Sequence, residues 1–371
     1  MVQQKSNVAA KIEDSWHAWR YKSAQKKGLL ETVLSFTGYG SQQWVRIFAR
    51  VVMAKDGWFE DGRWRAQLVA DGVRGWRNFT SPTAPFTTVT AIINGQSYQL
   101  KADRGGIIDM RVKVQMEPGW HRVELISKDQ VTSHTDVYIV ADGTQSGIVC
   151  DIDDTVLVTA LPRPMLAAWN SFVLDEHARS ATPGMAVMTQ RLLHAQDDHA
   201  PMLYLSTGSW NVAQTLSRFL RRHLYPYGAL LLTDWGPTEE RWFRSGREHK
   251  IRQLKRLAVE FPNIRWLLIG DDGQHDPEIY SEFAQRYPDN VKAIIIRQLT
   301  PSEAVLAGGR TDLAAAFQTE APWAYAPDGA RLSEQLIELG LLPVDEQDPV
   351  LEPSMDQSPS REQPRTAGPK L

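Results

Sequence analysis

The chain has 371 residues, 42% of them hydrophobic and 23% charged, and a formal net charge of -3. That is the composition of a globular protein long enough for two cores, and its near-neutral balance gives no general affinity for nucleic acid. The single cysteine, Cys150, excludes an intramolecular disulfide and a cysteine-based structural zinc site, and fits a reducing compartment.

The start, Met1 to Asn7, lacks the apolar stretch of a signal peptide, and no run reaches the roughly 18 apolar residues of a transmembrane segment. The expected location is the cytoplasm, with any membrane contact peripheral. Residues 1–37 carry Ile12, Trp16, Trp19 and Leu29-Leu30 among many charges, which predicts an amphipathic helical segment. Such a helix can lie on lipid, but packing on the next domain is the commoner outcome.

From residue 38 to 142 the apolar period becomes two. Val45, Ile47, Ala49 and Val51 alternate with Arg46, Phe48 and Arg50, and Asn94-Gly95 sits between alternating runs as a hairpin turn. Further strands are expected at Ile108 to Val114, Trp120 to Ile126 and Thr135 to Val140. This spacing predicts an antiparallel β-sandwich. It carries no catalytic constellation. Trp58, Phe59, Trp64 and Trp76 fall in or near its long loops, where packing is the default role.

After a polar linker the pattern becomes β/α over residues 147–342. Apolar strands are expected at Gly147–Cys150, Met202–Ser206, Ala229–Thr233, Trp266–Ile269 and Val291–Ile296. Helical patterns fall between them, which predicts a parallel sheet covered on both faces. The stretch Leu161–Arg179 is long enough for a small flap. Residues 302–342 read as mostly helical, and 343–371, rich in Pro, Glu, Asp, Gln and Ser, read as a disordered tail.

The chemistry gathers at strand ends. Asp151, Asp153 and Asp154 follow the first strand of the β/α part, and Ser206-Thr207 close the second. Lys250 is expected at a helix start, and Gly270-Asp271-Asp272-Gly273 follow a later strand. In an open parallel sheet these carboxyl ends form one ligand-binding edge. Carboxylates this close repel unless a cation or proton intervenes, and hard cations such as Mg²⁺ are held by one or two carboxylates together with phosphate oxygens. The set permits phosphoryl transfer: Asp151 as covalent nucleophile, Asp153 as general acid and base, and Ser206 and Lys250 on the phosphoryl oxygens. Mg²⁺ would be held by Asp151, the Asp153 backbone carbonyl and Asp271. Asp154 is left with a local structural part. Asp276 before Pro277 reads as a helix N-cap in addition to any metal role. His194, Asp197, Asp198 and His199 form a second group, on the opposite edge, that reads as a solvated loop. Arg241, Arg244, Arg247 and His249 either hold a second anionic group of the substrate or form a solvated charged loop.

In this order the residues resemble the haloacid dehalogenase superfamily, and more closely the actin-patch-protein type of phosphatidate phosphatase and its bacterial relatives. The motifs that carry the resemblance are Asp151-Ile152-Asp153-Asp154-Thr155, Thr182-Pro183-Gly184-Met185, Tyr204-Leu205-Ser206 with Trp210-Asn211, His249-Lys250, Phe261-Pro262, and Leu268 through Tyr280. Gly38-Tyr39-Gly40 with Val45 to Val51 is similar to the β-rich region preceding this domain in bacterial relatives. The resemblance implies a Rossmannoid α/β phosphatase domain, nucleophile Asp151, acid/base Asp153, and phosphate contacts at Ser206 and Lys250, with Thr207 beside them. It also implies Mg²⁺ at Asp151, Asp153 and Asp271, and phosphatidate at a membrane surface as substrate. The chain departs from the pattern at Asp272, where a small hydroxyl residue is expected, at Gln274, where an acid is expected, and at Thr207-Gly208-Ser209. A phosphatase of a soluble phosphometabolite and a catalytically silent lipid-binding scaffold stand as the alternatives.

Overall fold

A computed structural model describes residues 19–55, 81–158, 180–197, 199–233, 239–273, 275–307, 309–310 and 319–344. Trp16, the tryptophan-bearing loop at 58–76, the expected flap and the expected tail from 345 lie outside the described residues, as do the side chains of Arg241 and Arg244.

The first sheet has seven strands. They are β1 (Leu30–Ser41), β2 (Trp44–Ala54), β3 (Thr88–Ile93), β4 (Gln96–Lys101), β5 (Ile107–Lys113), β6 (Gly119–Ile126) and β7 (Thr132–Val140), in the order β4-β3-β6-β7-β1-β2-β5. Every neighbouring pair is antiparallel except β1 and β7. The two edge strands come back together, where Lys101 N–H donates to Met110 Sδ at 3.1 Å. The expected two-layer sandwich is therefore one sheet that nearly closes on itself. Alternation alone does not separate these outcomes, because both bury one face of each strand. The Asn94-Gly95 turn has positive φ at both residues and joins β3 to β4 in register from Ile93↔Gln96, the geometry that favours this dipeptide. A helix covers 19–26, but β1 begins at Leu30. The stretch 30–37, read above as helical, is strand because Val33 enters the sheet's own core while Leu34 and Phe36 pack the other way.

β2 shows why both faces are apolar. Val45, Ile47, Ala49, Val51 and Met53 fill the interior of the first sheet, whereas Trp44, Phe48 and Val52 face the second half of the chain. At this junction Phe36 stacks on Trp210 with ring centroids 4.9 Å apart, and Trp44 meets Phe261 at 5.4 Å. Gly38 and Gly40 let the strands close up here: a Cβ on either would lie 2.4 Å from Arg46 O or 2.3 Å from Trp44 O. Glu260 then receives Tyr39 Oη–H at 2.7 Å and pairs with Arg46 Nη2 at 2.5 Å, with only 4% of its side chain exposed. Arg46 also pairs with Asp109 at 2.5 Å, so removing Glu260 leaves the guanidinium one partner but takes away its buried one and the acceptor of the Tyr39 hydroxyl. Glu260→Ala should lower the unfolding free energy by about 2–3 kcal/mol in urea titration, and an effect below about 1 kcal/mol, the size of an exposed pair, would show that the junction is not held by this group.

The second sheet has six strands: β8 (Ser146–Asp151), β9 (Met202–Ser209), β10 (Ala229–Thr233), β11 (Arg265–Asp271), β12 (Val291–Arg297) and β13 (Trp323–Ala326). The helices are α1 (Met185–His194), α2 (Ala213–Arg222), α3 (Glu239–Glu260), α4 (Asp276–Arg286), α5 (Pro301–Leu306) and α6 (Gly329–Glu338). All strand pairs are parallel, in the order β10-β9-β8-β11-β12-β13. β8 is buried at every position, as a central parallel strand should be. β13 lies within the stretch read as helical; four residues between Pro322 and Pro327 are too few to show a period. The strand order reverses between β8 and β11, and the crevice at the carboxyl ends of two such strands is where an open α/β sheet binds ligands.

Candidate active site

Asp151 ends β8 and Asp271 ends β11, so the reversal point puts two acids side by side. Lys250 reaches them from α3. The sequence pattern placed it at a helix start, but α3 begins at Glu239, and Lys250 lies midway along it. The residues from Glu239 to His249 hold no proline, so nothing stops the helix from running past the sheet edge.

The buried Lys250 ammonium bridges two carboxylates, 2.6 Å from Asp151 Oδ1 and 2.5 Å from Asp276 Oδ1. The N-cap part expected of Asp276 is not what the structure shows, while the metal role left open beside it stays open. Asp276 opens α4 fully buried, and the N-cap position falls on His275, which makes no side-chain cap bond. The carboxylate turns inward to Lys250 instead. The Asp-Pro signal is the same in both cases, and burial is what separates them. Asp151, Asp271 and Asp276 each bring an oxygen within 4.8 Å of the others. Asp271 Oδ1 accepts the Gly273 N–H at 2.7 Å, while Asp271 Oδ2 and Asp276 Oδ2 are buried with no hydrogen-bond partner among the described residues.

Burial pushes the Asp151 carboxyl well above its ordinary pKa; Lys250 pulls it back, and Asp276 and Asp153 push it up again. Asp271 is raised by burial first and by Asp276 and Asp151 next. Burial alone would lower Lys250, but Asp151 and then Asp276 outweigh it and hold the ammonium above its usual value. One cation thus faces three buried acids. Unpartnered oxygens and surplus negative charge in a closed group of hard ligands are what a divalent cation would satisfy.

Asp153 stands outside that group. Ser206 Oγ–H donates to Asp153 Oδ2 at 2.9 Å, and Ser206 Oγ accepts the Gly208 N–H at 2.9 Å. The chain turns sharply between them: Val156 N–H returns to Ile152 O at 3.0 Å, and Asp154 takes a φ of 57°. Thr155 Oγ1–H donates to Asp151 Oδ2 at 3.3 Å. Thr207 follows Ser206 with its methyl side against α3 at Gly246, and its buried hydroxyl has no partner among the described residues. The structure thus brings Asp151, Asp153, Ser206, Thr207, Lys250 and Asp271 to one edge and adds Asp276.

Other sequence candidates do not join. Asp272 turns away from the acids, accepting the Leu299 N–H at 2.9 Å and the Tyr325 hydroxyl at 2.6 Å. Asp197 is spent on the backbone before β8, where Gln145 N–H, Ser146 N–H and the Ser146 hydroxyl hold its pKa low; Asp198 lies outside the described residues. His249 is buried beside Leu231 O, and desolvation lowers its pKa to about 4, so it brings no positive charge to an anion at neutral pH. Arg247 is paired with Glu282 at 2.7 Å.

Residues 146–298 match the family model described as the catalytic domain of phosphatidate phosphatase APP1. The resemblance of these residues is thus to the APP1-type phosphatases. The chain is 24% identical over 152 residues to phosphatidate phosphatase APP1 of Saccharomyces cerevisiae, a match covering 41% of this chain and 25% of that protein. It is 26% identical over 169 residues to an uncharacterized protein of Schizosaccharomyces pombe, covering 43% and 26%. The matched region thus spans about a quarter of each curated relative. A carbohydrate acetylesterase from Xanthomonas citri aligns at a TM-score of 0.29 and 10% identity, over 84% of this chain and 76% of that one, too distant to bear on fold or function. What matches is thus a family model of a phosphatase catalytic domain, and no helix among the described residues is long and apolar enough to cross a membrane.

Proposed function

We propose that this chain is a Mg²⁺-dependent phosphatase of haloacid dehalogenase type that hydrolyses phosphatidate to diacylglycerol and phosphate through phospho-Asp151. One observation carries the reading: the buried Asp151–Lys250–Asp276 bridge lies at the sheet's reversal point beside Asp271 and the Asp153–Ser206 pair, inside the region that matches an APP1-type catalytic domain. A carboxylate nucleophile accepts the phosphoryl group as a mixed anhydride and the leaving oxygen takes a proton. Asp153 delivers that proton and then withdraws one from the water that hydrolyses the anhydride. Lys250 and the Ser206 hydroxyl bind the equatorial oxygens, where charge spreads in the transition state, and Thr207 lies beside them. Asp151, Asp271, Asp276 and the Asp153 backbone carbonyl would hold Mg²⁺, whose charge offsets the repulsion between carboxylates and phosphate. The lipid substrate is the one named for the yeast relative; access from the cytoplasmic face of a membrane, without a spanning helix, is part of the proposal.

The test is an assay of phosphatidate vesicles beside a panel of soluble phosphomonoesters, with Mg²⁺ or with EDTA. The expected result is Mg²⁺-dependent phosphate release from the vesicles. Release from a soluble ester alone would shift the reading to a phosphometabolite phosphatase. No release from any substrate would favour a silent scaffold. Mg²⁺ should also raise the thermal midpoint, by the equivalent of about 2.7 kcal/mol at a hundredfold excess over Kd.

A further inference from the structure

Arg297 ends β12, the strand paired with β11, as the register partner of Asp271, but its side-chain bonds among the described residues run to none of Asp151, Asp271, Asp276 or Lys250. Its guanidinium is nonetheless buried, with 3% of the side chain exposed. Nη1 donates to Asp154 O at 2.6 Å. Nη2 donates to both carboxylate oxygens of Glu303, at 2.8 and 2.9 Å, and Nε donates to Pro327 O at 3.3 Å. Glu303 is itself fixed as the N3 residue of a capping box with Thr300 at the start of α5. A planar fork of this kind fixes direction as well as distance.

The target of Nη1 matters. Asp154 holds a left-handed backbone conformation with no glycine to relax it, a state that costs about 1 kcal/mol or more and persists only where neighbours impose it. That residue directly follows Asp153 in the same turn. The Asp153 side chain meets Ser206 at 2.9 Å. Beside the Val156 and Leu157 N–H groups that return to Ile152 O, this turn thus receives a side-chain donor from a strand-end arginine more than 140 positions later in the chain. The face behind it is closed tightly: Gly273 lies so near Leu299 and Ala307 that a Cβ there would sit 2.2 Å from Leu299 Cδ1. The segment bearing α5 is thus packed on the loop of Asp271 as well.

We infer that Arg297, clamped by Glu303, is the positioning residue that aims Asp153 at the leaving oxygen. This rests on the proposed role of Asp153 as general acid. When the proton donor is misaimed, only esters whose leaving group needs a proton are slowed. The quantity to compare is kcat/KM, which covers the steps through leaving-group departure, so the later hydrolysis of the phosphorylated enzyme, common to all substrates, drops out.

The experiment measures kcat/KM with Mg²⁺ for an alkyl ester, phosphatidate vesicles or glycerol 3-phosphate, and for p-nitrophenyl phosphate, whose leaving group departs unprotonated. Arg297→Met should lose about 100-fold on the alkyl ester and less than about tenfold on the aryl ester. Glu303→Gln, which leaves Arg297 in place but loosens its clamp, should show the same ordering with smaller losses and serves if Arg297→Met does not fold. Arg297→Lys should recover part of the alkyl activity. Equal losses on the two esters, or no loss in either variant, would overturn the inference while leaving the phosphatase reading intact. A wild type that cleaves neither ester, or the aryl ester alone, overturns both.

Discussion

Asp151→Asn is expected to abolish turnover, by about 10⁴-fold or more, as loss of a covalent nucleophile does elsewhere, while the protein still folds. An amide oxygen is a poor nucleophile and cannot form the mixed anhydride with phosphate. The fold should tolerate the change because Asp151 is fully buried, and burial already pushes its carboxyl toward the neutral form. An amide of the same shape removes one of three crowded acids. The check pairs a phosphate-release assay with an unfolding curve. A folded, inactive variant is the predicted outcome; a variant that retains a tenth of wild-type activity would exclude Asp151 as nucleophile.

Lys250→Met is expected to fail differently. Lys250 is the cation bound to both Asp151 and Asp276, and all three are buried. Without it two carboxylates face each other uncompensated, which should cost about 3–5 kcal/mol of stability near neutral pH in the absence of metal. The loss depends on pH. Asp151 and Asp271 already have raised pKa values in the folded protein, and removing Lys250 takes away the group that opposes this. Acids raised in the folded state favour folding below their unfolded pKa of about 4, and that contribution disappears as pH rises through the folded values. The variant should thus approach wild-type stability at about pH 4 and fall away toward neutrality. Mg²⁺ should restore part of the stability but not turnover, since the phosphoryl contact is gone. Urea titrations across this range decide it: a small loss, the same at every pH, would mean that Lys250 does not balance the acids.

Much of this site was legible in the chain because strand ends are legible. A run of buried β-branched and leucine residues followed by acids, as at Val149 to Asp153 or Leu268 to Asp271, marks both a strand and the edge where it stops. The order of such runs, interrupted by helical patterns, implied the parallel sheet. The pairing order did not follow from sequence: that β8 lies against β11 is a tertiary fact, and it is what sets Asp151 beside Asp271. Lys250 was placed correctly on the edge for the wrong local reason, since the helix begins eleven residues earlier, at Glu239. Asp276 and Asp272 show the same limit from opposite sides. One looks like a cap and is buried against Lys250; the other stands next to Asp271 where a small hydroxyl residue is expected, and is spent on Leu299, Tyr325 and the nearby Arg310. Adjacent acids at a strand end point in different directions, and no pattern in the sequence says which one turns inward.

The central claim is that a phosphoryl group passes through Asp151. The most direct measurement is an acid quench during turnover of a phosphorylated substrate with Mg²⁺, followed by mass spectrometry of the peptide spanning β8 and its acids. The predicted result is an acid-stable, base-labile phosphoryl group on Asp151, absent in Asp151→Asn. Steady phosphate release with no phosphorylated protein, or with the group on another residue, would contradict it.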